Sequence, residues 1–128
     1  MIVVDTSAMV SIVMKEADAE YFRSSLSEAG GAIISAGSVV ELLAVTSGHR
    51  DHSMVAKEVV NSKLIRNIEP VTAEQAFIAG EAYRQFGKGH HKARLNLGDM
   101  FAYSLAKLKD LPLLFKGNDF ALTDITPA

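Results

Sequence analysis

Cysteine is absent from the 128 residues. That excludes disulfide staples, thiolate zinc sites and a cysteine nucleophile, and it fits a reducing compartment. Strong charge of one sign is lacking too. Thirteen basic residues against 15 acidic ones give a formal net charge of −2, so a polyanion would have to be met by a local patch. Long apolar runs are missing, because the longest stretches are broken by Ser11 or Glu41, well short of the roughly 20 residues that span a bilayer. The first lysine is Lys15 and an acid stands at position 5, so no signal peptide is expected. Internal repeats, low-complexity tracts and linkers are absent as well. The remainder is an ordinary globular balance, 48% hydrophobic and 22% charged. It predicts a single domain over residues 1–128, cytoplasmic and without membrane contact.

What is present alternates between strand and helix. Met1 to Val4 is all apolar, as expected of a strand covered on both faces. Ser7 to Met14 and Asp18 to Glu28 are predicted helices on either side of a break at Lys15-Glu16-Ala17. Gly30-Gly31 turns the chain into a strand over Ala32 to Ser35. Helices are predicted over Ser38 to Ser47, with Ser38 as N-cap, and over Ser53 to Lys63, with the polar cluster Gly48 to His52 as a loop between them. Leu64 to Ile68 is a third strand, and Thr72 opens a helix running to Phe86. Gly87 to Asn96 is read as a flexible polar loop, Asp99 to Lys109 as a helix, and Leu113 to Phe115 as the last strand. The class is α/β, with a parallel sheet wrapped by helices.

Several acids lie where such a sheet binds ligands. Asp5 follows the first strand directly, and Asp119 follows the last one. The crevice beyond the carboxyl ends of the strands is the usual binding site of an open α/β sheet. Taken singly, Asp5 and Asp99 have an alternative as helix caps, and Asp119 as a turn residue. Glu41 is different, because its helical neighbours Gly37, Ser38, Ala44 and Val45 are small or apolar. A carboxylate there must find a cation, a hydrogen-bond network or a proton. If Asp5, Glu41, Asp99 and Asp119 converge, each close pair repels by roughly 4 kcal/mol at 4 Å and an effective dielectric near 20. Binding a cation relieves that cost, and oxygen ligands without His or Cys suit Mg²⁺ or Mn²⁺. Asp124 is a further candidate ligand, or else a surface turn acid. Thr6 and Ser7 are candidates for orienting the carboxylates, or else for starting the helix.

A basic segment precedes Asp99. Arg84, Lys88, Lys92 and Arg94, with His90 and His91, lie in a stretch with no acid up to Gly98. Phosphates would bind such a segment with salt-dependent affinity. The histidines form no metal-ligand pattern and are read as surface residues. Phe86, Phe101 and Tyr103 are read as core.

Together these features resemble PIN-domain ribonucleases, and more narrowly the VapC-type toxins of bacterial toxin–antitoxin pairs. The resemblance rests on Asp5-Thr6-Ser7, the helix bearing Glu41, Asn96-Leu97-Gly98-Asp99 before Ala102 to Ala106, and Leu114 to Phe120 with Thr123-Asp124-Ile125. It spans essentially the whole chain. It implies a three-layer α/β/α sandwich with a short, mainly parallel sheet, and a Mg²⁺- or Mn²⁺-dependent endonuclease acting on RNA. The implied acidic quartet is Asp5, Glu41, Asp99 and Asp119, with Asp124 sharing the fourth position and Asn118 replacing an acid that many relatives carry. A homodimer and a small cognate antitoxin protein are implied as partners.

On this basis Asp5 and Asp99 are expected to hold the ion that activates a water against the phosphodiester. Glu41 is a ligand or general base, Asp119 completes the site, and Lys88, Lys92 and Arg94 hold flanking phosphates. Two rivals remain: a phosphatase with Asp5 as nucleophile, where Ser7 stands in place of the usual second Asp, and a regulatory module that binds RNA without turnover.

Overall fold

The computed structural model describes residues 1–128. Four parallel strands, β1 (Ile2–Val4), β2 (Ala32–Ser35), β3 (Ile65–Glu69) and β4 (Leu113–Leu114), form one sheet in the order β3-β2-β1-β4. Six helices connect them: α1 (Thr6–Val13), α2 (Ala19–Glu28), α3 (Ala36–Thr46), α4 (Arg50–Val60), α5 (Ala73–Phe86) and α6 (Asp99–Lys109). A short 3-10 turn over Phe120–Leu122 follows β4.

β1, β4 and most of β2 are apolar because the sheet is covered on both faces there, whereas the edge strand β3, Ile-Arg-Asn-Ile-Glu, is largely exposed. Alternate residues point to opposite sides. Ile2, Val4, Ala32, Ile34 and Leu114 pack with Met9, Ile12, Phe22, Leu26, Leu42 and Val59 under α1 to α4. Val3, Ile33 and Leu113 pack with Met100, Tyr103, Leu105 and Ala106 under α5 and α6. The result is the expected α/β/α sandwich. No helix is long and apolar enough to cross a membrane.

The strand order fixes the site. From β1 the chain steps outward through β2 and β3, then crosses to the far side of β1 to lay down β4. The direction of winding therefore reverses at the carboxyl end of β1, the topological switch point where such sheets bind ligands. Asp5 is the next residue, and its N–H donates to the Leu114 carbonyl at 2.9 Å. Helices α1 and α3 start from this edge, and α6 runs back against the strands, so its N-terminus lies here too.

Three local expectations are corrected. Ser35, not Ser38, caps α3, its hydroxyl accepting from the Gly37 N–H at 3.1 Å. β2 passes straight into the helix, so the cap falls on its last residue. The cluster taken as a loop before Ser53 is instead the start of α4, with His49 Nδ1 accepting from the His52 N–H at 3.3 Å. The segment after Gly87 is not free either. Buried Ala93 and Leu95 anchor it to the core, and Leu95 exchanges backbone bonds with Phe86 and Lys88. Only Gly89, at φ +90°, serves there as a turn glycine, whereas Gly87 is required because a Cβ would meet the Tyr83 carbonyl at 2.3 Å.

α3 crosses α6 at Gly37, where a Cβ would fall 2.3 Å from the Phe101 ring. Gly37→Ala should therefore lower stability by about 1–3 kcal/mol through overpacking. Gly48→Ala, which meets nothing within 4 Å, should stay within about 0.5 kcal/mol of the parent. Urea unfolding of the two variants checks the contrast.

Candidate metal centre

Asp5 has two roles, divided between its two oxygens. Oδ2 caps α1, accepting from the Ser7 N–H at 3.0 Å and the Ser7 hydroxyl at 2.6 Å. Oδ1 is buried and has no hydrogen-bond partner. The residue is only 3% exposed, so water cannot repay this deficit. Burial pushes the Asp5 carboxyl up to about 6, against the lowering pull of the Ser7 hydrogen bonds and with the charge of Glu41 adding to the rise.

Asp99 is the first residue of α6. It shares a reciprocal box with Asn96: the Asn96 N–H donates to Asp99 Oδ2 at 2.8 Å, and the Asp99 N–H donates to Asn96 Oδ1 at 3.1 Å. Its carboxyl also rises to about 6, chiefly through burial and against the Asn96 bond, with the charges of Asp5, Glu41 and Asp119 contributing. The charges of the other three acids are thus felt at Asp99.

Glu41 reaches the start of α6 across the α3–α6 contact. Gly98 leaves the space for it, since a Cβ there would lie 1.9 Å from Glu41 Oε2. Glycine is needed at this position for room, not for backbone freedom, because its φ is −61°. Asp119 sits exposed at the start of the 3-10 turn, without a side-chain hydrogen bond. None of the four acids takes part in any of the ion pairs. A pairing of Glu41 with a lysine is therefore not found.

Asp124 is placed otherwise. It accepts from the Tyr103 hydroxyl at 2.6 Å and pairs with Lys107 Nζ at 3.0 Å. It is not among the acids that raise Asp99, so the structure gives it a role in fastening the C-terminal segment to α6. Thr6 donates its hydroxyl to the Ser38 carbonyl at 3.1 Å, tying α1 to α3. Ser7 both starts the helix and orients Asp5. The basic segment keeps Lys88, Lys92 and Arg94 exposed and free of ion pairs, whereas Arg84 is taken by Glu81. Lys116, given no role in the sequence reading, bonds to Ser7 over a separation of 109 residues, a distance no local pattern reveals.

The donor set fits a hard divalent cation. All the free atoms are carboxylate oxygens, and one of them is a buried orphan aimed at no protein group. No group of three acidic or histidine side chains lies close enough together to hold a metal ion by itself. Mg²⁺ does not need such a group, since it keeps several waters and is commonly held by one or two carboxylates together with substrate phosphate.

The profile of the PIN domain family matches residues 2–125. Ribonuclease VapC42 of Mycobacterium tuberculosis is 42% identical, with 98% of each chain covered. Ribonuclease VapC30 of the same organism is 39% identical over 96% of this chain and 95% of its own. Among solved structures, VapC20 of M. tuberculosis, a sarcin–ricin loop cleaving toxin, superposes with a TM-score of 0.78 at 17% identity, covering 100% of this chain and 98% of its own. VapBC2 from Rickettsia felis, bound to a DNA fragment from its promoter, gives 0.73 at 19%, covering 100% and 98%. At such identities these two likenesses speak to the fold.

The buried acids have a measurable consequence. An aspartate whose pKa rises on folding binds protons more tightly in the folded chain, so its contribution to stability falls as pH rises through that interval. Asp5 and Asp99 each move from 3.8 to about 6. Asp18, Glu81 and Asp124 move downward and act in the opposite sense, so a difference between variants isolates the effect. In chelator, Asp5→Asn should match the wild type near pH 4 and exceed it at pH 7.5, by on the order of 2–3 kcal/mol. Denaturant unfolding at both pH values checks this, and a wild type that stays the more stable at pH 7.5 contradicts it.

Proposed function

Given that this chain belongs to the PIN domain family, we propose that it is a divalent-metal-dependent endoribonuclease, the toxin of a toxin–antitoxin pair. The observation that carries this reading is the bare Oδ1 of Asp5 at the switch point of the sheet, beside Asp99, which feels the charges of Asp5, Glu41 and Asp119, with no protein cation paired to any of the four. The relatives named as ribonucleases cover nearly the whole chain. When bound, Mg²⁺ or Mn²⁺ supplies Lewis acidity and an acidified water at neutral pH.

The residues divide the work. Asp5 offers Oδ1, and Asp99 offers the oxygen left free by Asn96. Glu41, held over Gly98, is placed to accept a proton or complete the ligand set. Asp119, exposed at the start of the 3-10 turn after β4, completes the ligand set from the open side. Lys88, Lys92 and Arg94 neutralise flanking phosphates and hold the strand across the acids. No side chain forms a bond to phosphorus, and the products are a 5′-phosphate and a 3′-hydroxyl. RNA is the substrate, and a cognate antitoxin and a second copy of the chain are the protein partners. Exposed Phe77, Leu97 and Val40, at 81%, 73% and 68%, are apolar side chains that a partner would cover.

Incubation of the purified chain with a labelled RNA pool tests the proposal. Mg²⁺ or Mn²⁺ should support cleavage and chelator should stop it. Asp5→Asn and Asp99→Asn should each lose at least on the order of a hundredfold in rate while keeping the fold by circular dichroism. Cleavage that survives chelator, or a phosphoenzyme on Asp5, contradicts the reading.

The basic segment makes a separate prediction. Replacing Lys88, Lys92 and Arg94 together by alanine should raise KM for RNA with little change in kcat. The slope of log affinity against log salt should flatten by about 2, at about 0.7 per phosphate contact on a single strand. Filter binding across a salt series measures it.

A further inference from the structure

Lys116 stands two residues beyond β4 and touches the site by an indirect route. Its backbone N–H donates to Ser7 Oγ at 3.0 Å. A hydroxyl has one proton to give, and with its lone pair directed at Lys116, Ser7 gives that proton to Asp5 Oδ2 at 2.6 Å. The Ser7 N–H reaches the same oxygen at 3.0 Å. Oδ2 is thereby saturated while Oδ1 stays bare.

The lysine side chain points the other way. Its Nζ lies 2.9 Å from Glu16 Oε1 and 3.2 Å from Asp18 Oδ1, both in the turn between α1 and α2. Asp18 is held in turn by the hydroxyl of Ser11, which is fully buried on α1. One residue therefore fastens the segment leading to Asp119 twice, by its backbone to the start of α1 and by its side chain to the end of α1. Neither Glu16 nor Asp18 belongs to the acidic quartet.

We propose that Lys116 is a positioning residue for the metal centre: its clamp on Glu16 and Asp18 keeps its N–H on Ser7, so that Asp5 presents Oδ1 alone to the ion. This rests on Asp5 being a ligand. The three side chains are 36–41% exposed, and exposed pairs contribute roughly 0–1 kcal/mol each. The clamp therefore adds little to global stability, and its effect is directional. Groups that orient a ligand from outside the coordination shell typically control metal affinity by about 10–100-fold.

Calorimetric titration of Mn²⁺ into the full chain tests this, using wild type, Lys116→Met, Lys116→Arg and the double variant Glu16→Gln/Asp18→Asn. Lys116→Met and the double variant should bind Mn²⁺ on the order of tenfold more weakly. Their Tm in chelator should stay within about 4 °C of wild type. Lys116→Arg, able to bridge the same two carboxylates, should recover most of the affinity. In RNA cleavage, kcat should fall at subsaturating metal with KM for RNA unchanged. Lys116→Met that binds Mn²⁺ as tightly as wild type overturns the clamp and leaves the metal reading standing. So does a raised KM for RNA with intact Mn²⁺ affinity, which would make Lys116 a phosphate contact. If Lys116→Met does not fold, the double variant decides by the same criteria. A wild type that takes up no Mn²⁺ overturns both the clamp and the metal reading beneath it.

Discussion

Burial of neighbouring carboxylates that have no protein cation to answer them is the constraint around which this fold is arranged. Asp5 is buried at the end of the central part of the sheet with one oxygen bonded twice and the other not at all. Asp99 is driven up to about 6 by burial and by three neighbouring negative charges. A chain selected for stability alone would place a lysine or an amide here. The observed arrangement costs stability in the metal-free chain, and a divalent ion bound there would remove that cost. Strain of this kind is what a site built to bind a cation carries.

The rest of the architecture makes that crowding tolerable. Helices α1, α3 and α6 all point their N-termini at the acid edge, and the positive ends of their dipoles partly offset the charge. Glycines at positions 37 and 98 let α3 and α6 approach closely enough for Glu41 to join acids delivered by other elements. The Asn96–Asp99 box and the Ser7–Asp5 bonds each occupy one oxygen of a carboxylate and leave its other oxygen without a hydrogen bond. Geometry, more than residue count, sets the chemistry.

The layers of the fold were legible because both faces of the central sheet are covered, which makes the short, mostly apolar strands β1, β2 and β4 stand out between amphipathic helices. Asp5 was legible as an acid directly behind the first strand, Asp119 as one in the turn after the last strand, and Glu41 as an acid without polar company. What stayed hidden was mostly non-local. Tyr103 and Lys107 claim Asp124 from α6, so only the folded chain separates that acid from the quartet. Ser7 is bonded by a residue 109 positions away. The α3 cap was misplaced because β2 runs into the helix without a punctuating residue, and the start of α4 was missed because histidine is an uncommon cap. The segment after Gly87 looked free because its two anchors, Ala93 and Leu95, are single apolar residues in a polar stretch.

Proton release on metal binding is the most direct probe of these carboxylates. With Asp5 and Asp99 both near 6, titration of Mg²⁺ at pH 6 in buffers of different ionisation enthalpy should show about one proton displaced per ion bound, falling toward none at pH 8. Uptake of Mg²⁺ at pH 6 with no proton released, or no uptake at either pH even with RNA present, would contradict the account.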